Sequence, residues 1–268
     1  MKRLCLVLLA AALYSGTLAS RELIRDDRPL ISENTLLRSW RSLPALLTVG
    51  YWDQAHGPGA RVQEYRPALS LVNFAVFQAA GEAPWAHHLV NLLLHAAVCL
   101  LLFELLSRSA GERAAFRASL LFASLPILSE AVGYVSGRSE PLCALFVLAA
   151  WLSCERGKGP WPFLLYALAM LSKEQGVLFP LLVLGWDRVR GRRRPSLYIG
   201  LGLCALAYLL LRWTVLEHGA RVGSPYFADA RLSTRLLTMA RFTVERYLVP
   251  LATGMNMAFN FERPLVAD

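Results

Sequence analysis

Two adjacent aspartates, Asp26 and Asp27, stand in the stretch RDDRPLISEN (residues 25–34), just past an apolar run from Leu4 to Ala19. Charged groups that close to lipid are costly. They are either ordinary flanking charges or groups that do chemistry there, and the chemistry open to such a pair is proton transfer. Three further polar stretches carry both signs of charge: EYRPALS (Glu64 to Ser70), SEAVGYVSGRSEP (Ser129 to Pro141) and SKEQG (Ser172 to Gly176). Glu130, Glu140 and Glu174 in them can meet Arg66, Arg138 and Lys173, making one mixed-charge site if the chain brings the stretches together. Four such clusters on one side of a membrane weigh toward function, because ionisable groups at membrane depth tend to be functional.

Other residue types suggest less. HHLVNLLLH puts His88, Asn91 and His95 on one helix face. Seven residues separate the two histidines, about 10.5 Å along a helix. One zinc with Zn–N bonds of about 2.0–2.1 Å cannot reach both, so hydrogen bonding between helices is the expected use. His88, near the end of its span, can still reach a ligand. The five cysteines all sit in or beside apolar runs without a paired spacing. They read as small apolar side chains rather than a disulfide framework or a zinc site.

The elements that must position these groups follow from composition. The 268 residues are 56% hydrophobic and 18% charged, with a mean hydropathy of +0.42. Soluble domains carry about 25% charged residues, and the apolar residues here fall into separated runs. The expectation is an all-α polytopic membrane protein of about seven or eight transmembrane helices. Much of the net charge of +9 lies in DRVRGRRRP (Asp187 to Pro195), which reads as an inner topology anchor. Anionic lipid is a secondary partner, and nucleic acid is not expected.

Leu4–Ala19 is either a cleaved signal peptide or an uncleaved first span, the second being favoured, with a cytoplasmic N-terminus. Residues 20–84 form a long, mostly polar outer loop. Within it Leu36, Leu37, Trp40, Leu43 and Leu47 recur at helical spacing, predicting an amphipathic juxtamembrane helix or a packed helix of a small loop domain. Further spans are expected over about 85–106, up to about 128, 142–154 and 197–216. Trp161 to Trp186 is interrupted by SKEQG. A charge at the bilayer centre costs about 2.5–3.5 kcal/mol, and a single span would put RGRRR outside. Two short segments with SKEQG at the outer surface satisfy both constraints. Residues 232–251 either span or lie on the surface.

These motifs in their order carry a resemblance. Asp26, Asp27, Ile31 and Asn34, then Tyr65-Arg66-Pro67, HLVNLLLH, SEAVGYVSGRSE and SKEQG are similar to the transmembrane and tetratricopeptide-repeat (TMTC-type) O-mannosyltransferases. The resemblance implies a GT-C-like fold for residues 1–268, taken as a single membrane domain. No 34-residue repeat is visible. It also implies an inverting transfer of a sugar, mannose, from a polyprenyl or dolichyl phosphate to Ser or Thr of an acceptor protein. The implied roles are Asp26 as base and Asp27 as its partner, and Arg66, Arg138 and Lys173 on the donor phosphate. Tyr65, His88, Glu130 and Glu174 would position substrate. No cofactor and no metal enter this scheme. The membrane is the endoplasmic reticulum in a eukaryote and the inner membrane in a bacterium. One departure stands out: the family's HPIHTEAV is LPILSEAV here, with Leu125 and Leu128 in place of histidines.

Two other classes compete. A transporter would place broken segments and ionisable groups in paired midplane positions, whereas the polar groups here collect at one surface. A non-catalytic membrane scaffold, or a truncated paralogue, would tolerate asparagine at both aspartates.

Overall fold

The computed structural model describes residues 1–57, 64–157, 159–216 and 231–253, and among these no strand occurs. The chain is an all-α polytopic membrane protein. Among the described residues thirteen α-helices are joined by short 3-10 and wide helical turns: α1 Lys2–Tyr14, α2 Leu43–Thr48, α3 Asp53–His56, α4 Pro67–Ala80, α5 Pro84–Ala110, α6 Glu112–Ala123, α7 Leu128–Gly133, α8 Ser139–Arg156, α9 Trp161–Ser172, α10 Phe179–Val189, α11 Pro195–Val215, α12 Leu232–Thr243 and α13 Val249–Thr253. Proline occupies the first turn of α4, α5, α9, α10 and α11, where its missing N–H and fixed φ cost nothing. Among the described residues three helical stretches are long and apolar enough to cross a membrane unaided: Lys2–Ala19, Pro84–Ala110 and Pro195–Val215.

Ion pairs mark two polar ends. At one end Lys2 meets Glu112, and Arg3, Arg108 and Arg156 all meet Glu104. Arg194, in the basic block, grips the buried Asp187 through two bonds of 2.7 and 2.8 Å. At the other end Asp27, Arg66, Arg138, Glu174 and Arg212 are joined by contacts between distant segments. Each of α5, α6, α8, α9, α10 and α11 runs between these ends. Packing between them is van der Waals contact rather than escape from water; Tyr166, Met170, Phe179, Val183 and Leu201 form its most buried cluster.

The expected break at SKEQG is present. Lys173 is extended, Glu174–Leu178 makes a 3-10 turn, and α9 and α10 flank it with 12 and 11 residues. Other expectations need correction. The span expected to reach Leu128 ends as a helix at Ala123, because Pro126 disfavours helical geometry just before it. The outer loop over 20–84 is not mostly polar, since it contains α4. Arg66, just before α4, meets Glu174, and Gly81, just after it, bonds His87 at the start of α5. Both ends of α4 are thus held at the same end of the protein, and the helix lies across it. The amphipathic helix expected over 36–47 is three short pieces, Thr35–Arg38, Trp40–Ser42 and α2. Ser39 breaks the first from the second with an extended backbone and caps Arg41 N. Leu37 and Leu46 enter the core there, while Trp40 stays exposed and packs edge-on to Phe74. Cys5 is exposed, unlike Cys99, Cys143 and Cys154.

Candidate active site at the polar end

The site begins with the loop that holds the acidic pair. Asp27 is buried, and its carboxylate accepts hydrogen bonds from Val135 N (3.0 Å) and Ser136 N (2.6 Å). Asp26 is exposed and has no ion pair or side-chain hydrogen bond among the described residues. Arg25 before it sits at φ +51°, a left-handed conformation uncommon for a residue with a Cβ. The pair is therefore divided in use: one carboxylate clamps the first loop to the loop before α8, and the other is left facing a cavity. Ile31 is fully buried, and Asn34 caps Leu36 N at 3.0 Å.

Beneath the loop lies a polar core built on Arg138. Its guanidinium is fully buried and donates to Asn91 Oδ1 (2.8 Å), Asn73 Oδ1 (2.6 Å) and His87 O (2.7 Å). Burial lowers its pKa to about 10, with opposing help from Tyr51 and Asp27, which keeps it protonated at neutral pH. Asn91 in turn donates to Tyr134 O at 2.6 Å. These bonds join α4, α5 and the loop before α8. The tight packing leaves no room beside Gly137, where a Cβ would stand 2.7 Å from Glu130 O. At Gly176 a Cβ would meet the Ala169 and Met170 backbone at 2.8 Å. The glycines of GRSE and KEQG are thus demanded by close backbone approach.

The cavity itself has a volume of about 650 Å³. Arg25, Asp26, Glu64, Arg66, Glu130, Glu140 and Lys173 line it together with Tyr51, Trp52, Ile127 and Leu128. Tyr247, from the turn after α12, also reaches it. Lys173 is paired with Glu140. Arg66 is held by two carboxylates, Glu64 at 2.7 Å and Glu174 at 3.0 Å, and Glu174 continues to Arg212 at 3.0 Å. Burial works against the Arg66 charge, but Glu64 and Glu174 outweigh it and its pKa is raised. The two glutamates respond in opposite directions. Burial raises Glu64, with Arg66 opposing and Glu174 adding to the rise. For Glu174, burial is outweighed by Arg66 and by its hydrogen bonds, so its pKa is lowered.

Of the charged residues singled out in the sequence, Asp26, Arg66, Glu130, Glu140 and Lys173 share the cavity. Arg138 does not line it: its donors are consumed inside the protein, so direct phosphate binding is corrected to an internal support. Asp27 is a backbone clamp. Tyr65 is buried and donates to Leu47 O at 2.9 Å. His88 is buried away from the cavity wall, and Glu174 acts from behind Arg66. Glu64 and Arg25 join the site without having been singled out. The only sequence signal for Glu64 is its place two residues before Arg66. Leu128, where the resemblance expects a histidine, forms part of the wall with Ile127. Among the described residues no three His, Cys, Asp or Glu side chains gather as a metal site.

Comparison with known proteins agrees with the motifs. The chain is 34% identical over 163 residues to protein O-mannosyl-transferase TMTC3 of Homo sapiens, covering 57% of this chain and 18% of that protein. It is 31% identical over 202 residues to TMTC4 of Mus musculus, covering 61% and 27%. It is 34% identical over 185 residues to TMTC2 of Mus musculus, covering 63% and 22%. The match thus spans roughly a fifth to a quarter of each relative's length. No protein-family model matches the chain, and no solved structure does.

Proposed function

We propose, from its kinship with the TMTC-type protein O-mannosyl-transferases, that this chain is the membrane part of a glycosyltransferase whose reaction takes place in the cavity at the polar end. The donor is a sugar, mannose, on a polyprenyl or dolichyl phosphate, and the acceptor is a Ser or Thr hydroxyl of a protein. The observation that carries the reading is Asp26: an exposed, unpaired carboxylate facing a cavity that also holds Arg66 and Lys173. A cavity at the polar end of a membrane-helix bundle suits a lipid-anchored phosphate, which supports the reading.

A Ser or Thr hydroxyl is a weak nucleophile until a base takes its proton. Asp26 accepts that proton while the hydroxyl oxygen bonds the sugar's anomeric carbon. The bond from that carbon to the phosphate oxygen breaks, and the lipid phosphate leaves with the electron pair. Attack opposite the phosphate inverts the anomeric centre. The leaving phosphate gains charge, which Arg66 and Lys173 offset in a partly enclosed site; Arg66 is suited to a two-pronged contact. Asp27 fixes the loop that presents Asp26, and Arg138 fixes the loop that receives Asp27. The N-terminal basic end faces the cytoplasm, and the cavity faces the lumen or periplasm.

The test is a transfer assay in membranes holding the chain, with radiolabelled lipid-phosphate mannose and a Ser/Thr-rich acceptor. Wild type should transfer label to the acceptor. Asp26→Asn should abolish transfer at unchanged protein level. Equal transfer by the variant would remove Asp26 from the chemistry, and absence of transfer by wild type would count against the enzyme.

A further inference from the structure

One cation of the cavity is held by two different carboxylates. Arg66 carries one positive charge and is gripped by two carboxylates on opposite sides, Glu64 and Glu174. They differ in kind. Glu174 holds Arg66 through Nε (3.2 Å) and Nη2 (3.0 Å), is itself held by Arg212, and does not line the cavity. Glu64 lines the cavity and meets Nη1 through Oε2 at 2.7 Å. The same Oε2 accepts from Trp52 Nε1 at 3.0 Å. The charged groups facing Glu64 are Arg66, Glu174 and Lys173.

We propose that Glu64 is a displaceable counter-ion, occupying Arg66 while no donor is bound and giving up the guanidinium to a lipid phosphodiester. The inference rests on the donor-site reading above. Glu174 keeps Arg66 oriented from behind; Glu64 stands where an anion would stand. A group with a raised pKa is the easier of the two to neutralise, and displacement from Arg66 removes the interaction that holds Glu64 ionised. Donor binding therefore draws a proton onto Glu64, and affinity rises as pH falls toward its pKa, above the ordinary carboxylate value of 4.5.

The experiment measures binding of a short-chain polyprenyl phosphomannose to the full chain in detergent, between mildly acid and neutral pH. This phosphodiester keeps one negative charge throughout. Wild type should bind more tightly at the acid end. Glu64→Gln should bind about tenfold more tightly at neutral pH, since no charged carboxylate then competes for Arg66, and should lose the pH dependence. Glu174→Gln should show no such gain and should retain the pH dependence. Saturable, Arg66-dependent binding by wild type with no gain and an unchanged pH slope in Glu64→Gln overturns the counter-ion role while leaving the donor site standing. No saturable binding by wild type or variants overturns both.

Discussion

At the basic end of the protein one glutamate gathers three arginines: Glu104 meets Arg3, Arg108 and Arg156. At the cavity end one arginine is gathered by two glutamates: Arg66 meets Glu64 and Glu174. The residue types are the same, but at the cavity end Glu174 also meets Arg212, so two carboxylates and two guanidiniums alternate. Exposure differs too. Arg3 is 71% exposed and Arg66 11%. Exposed pairs of the first kind contribute about 0–1 kcal/mol each and are screened by salt. Their surplus of positive charge acts on orientation in the membrane. Partly enclosed pairs of the second kind are expensive to leave incomplete, so they fix geometry and hold charge ready for a ligand.

The comparison can be broken by substitution. The largest effect belongs to Asp26→Asn. Transfer should fall by about 10²–10⁴-fold, the usual worth of a positioned base, with no change in thermal stability, since Asp26 has no described partner to lose. Next comes Arg138→Met. It leaves two asparagine carbonyls and a backbone carbonyl without donors, and a thermal-shift measurement in detergent should show a loss of about 3–5 kcal/mol. A variant as stable as wild type would mean that the buried polar core is dispensable. Gly176→Ala should cost about 1–3 kcal/mol through overpacking against the α9 backbone, read by the same assay. Smallest is Glu104→Gln, at no more than about 1 kcal/mol and no effect on transfer. An effect at Glu104 rivalling that at Arg138 would erase the distinction between the ends.

The sequence exposed the charge clusters and the helix pattern because both leave local traces. SKEQG interrupts an apolar run whichever way the chain folds. The block RGRRR fixes the parity of the spans around it. What stayed hidden depends on tertiary placement. Asp26 and Asp27 are adjacent and chemically identical, and only the loop geometry at Arg25 sends one into the protein and the other into the cavity. Arg138 looks like another surface cation until Asn73, Asn91 and His87 O close around it. α4 is apolar enough to resemble a span, yet is tied to the polar end at both its termini. Glu64 becomes a site residue only because Trp52 and Arg66 fold over it.

The broken hairpin has a consequence for the surrounding lipid. α5, with 27 residues, rises about 40 Å at 1.5 Å per residue. α9 and α10, with 12 and 11, rise only about 18 and 16 Å. Their outer faces are apolar, with Leu164, Leu181 and Leu184 exposed. Against a hydrocarbon core of about 30 Å, each half of the hairpin is too short to cross alone. Bilayer answers a short flank by thinning. Thinning beside the hairpin would draw the phosphate plane toward Lys173, which follows α9 and lines the cavity.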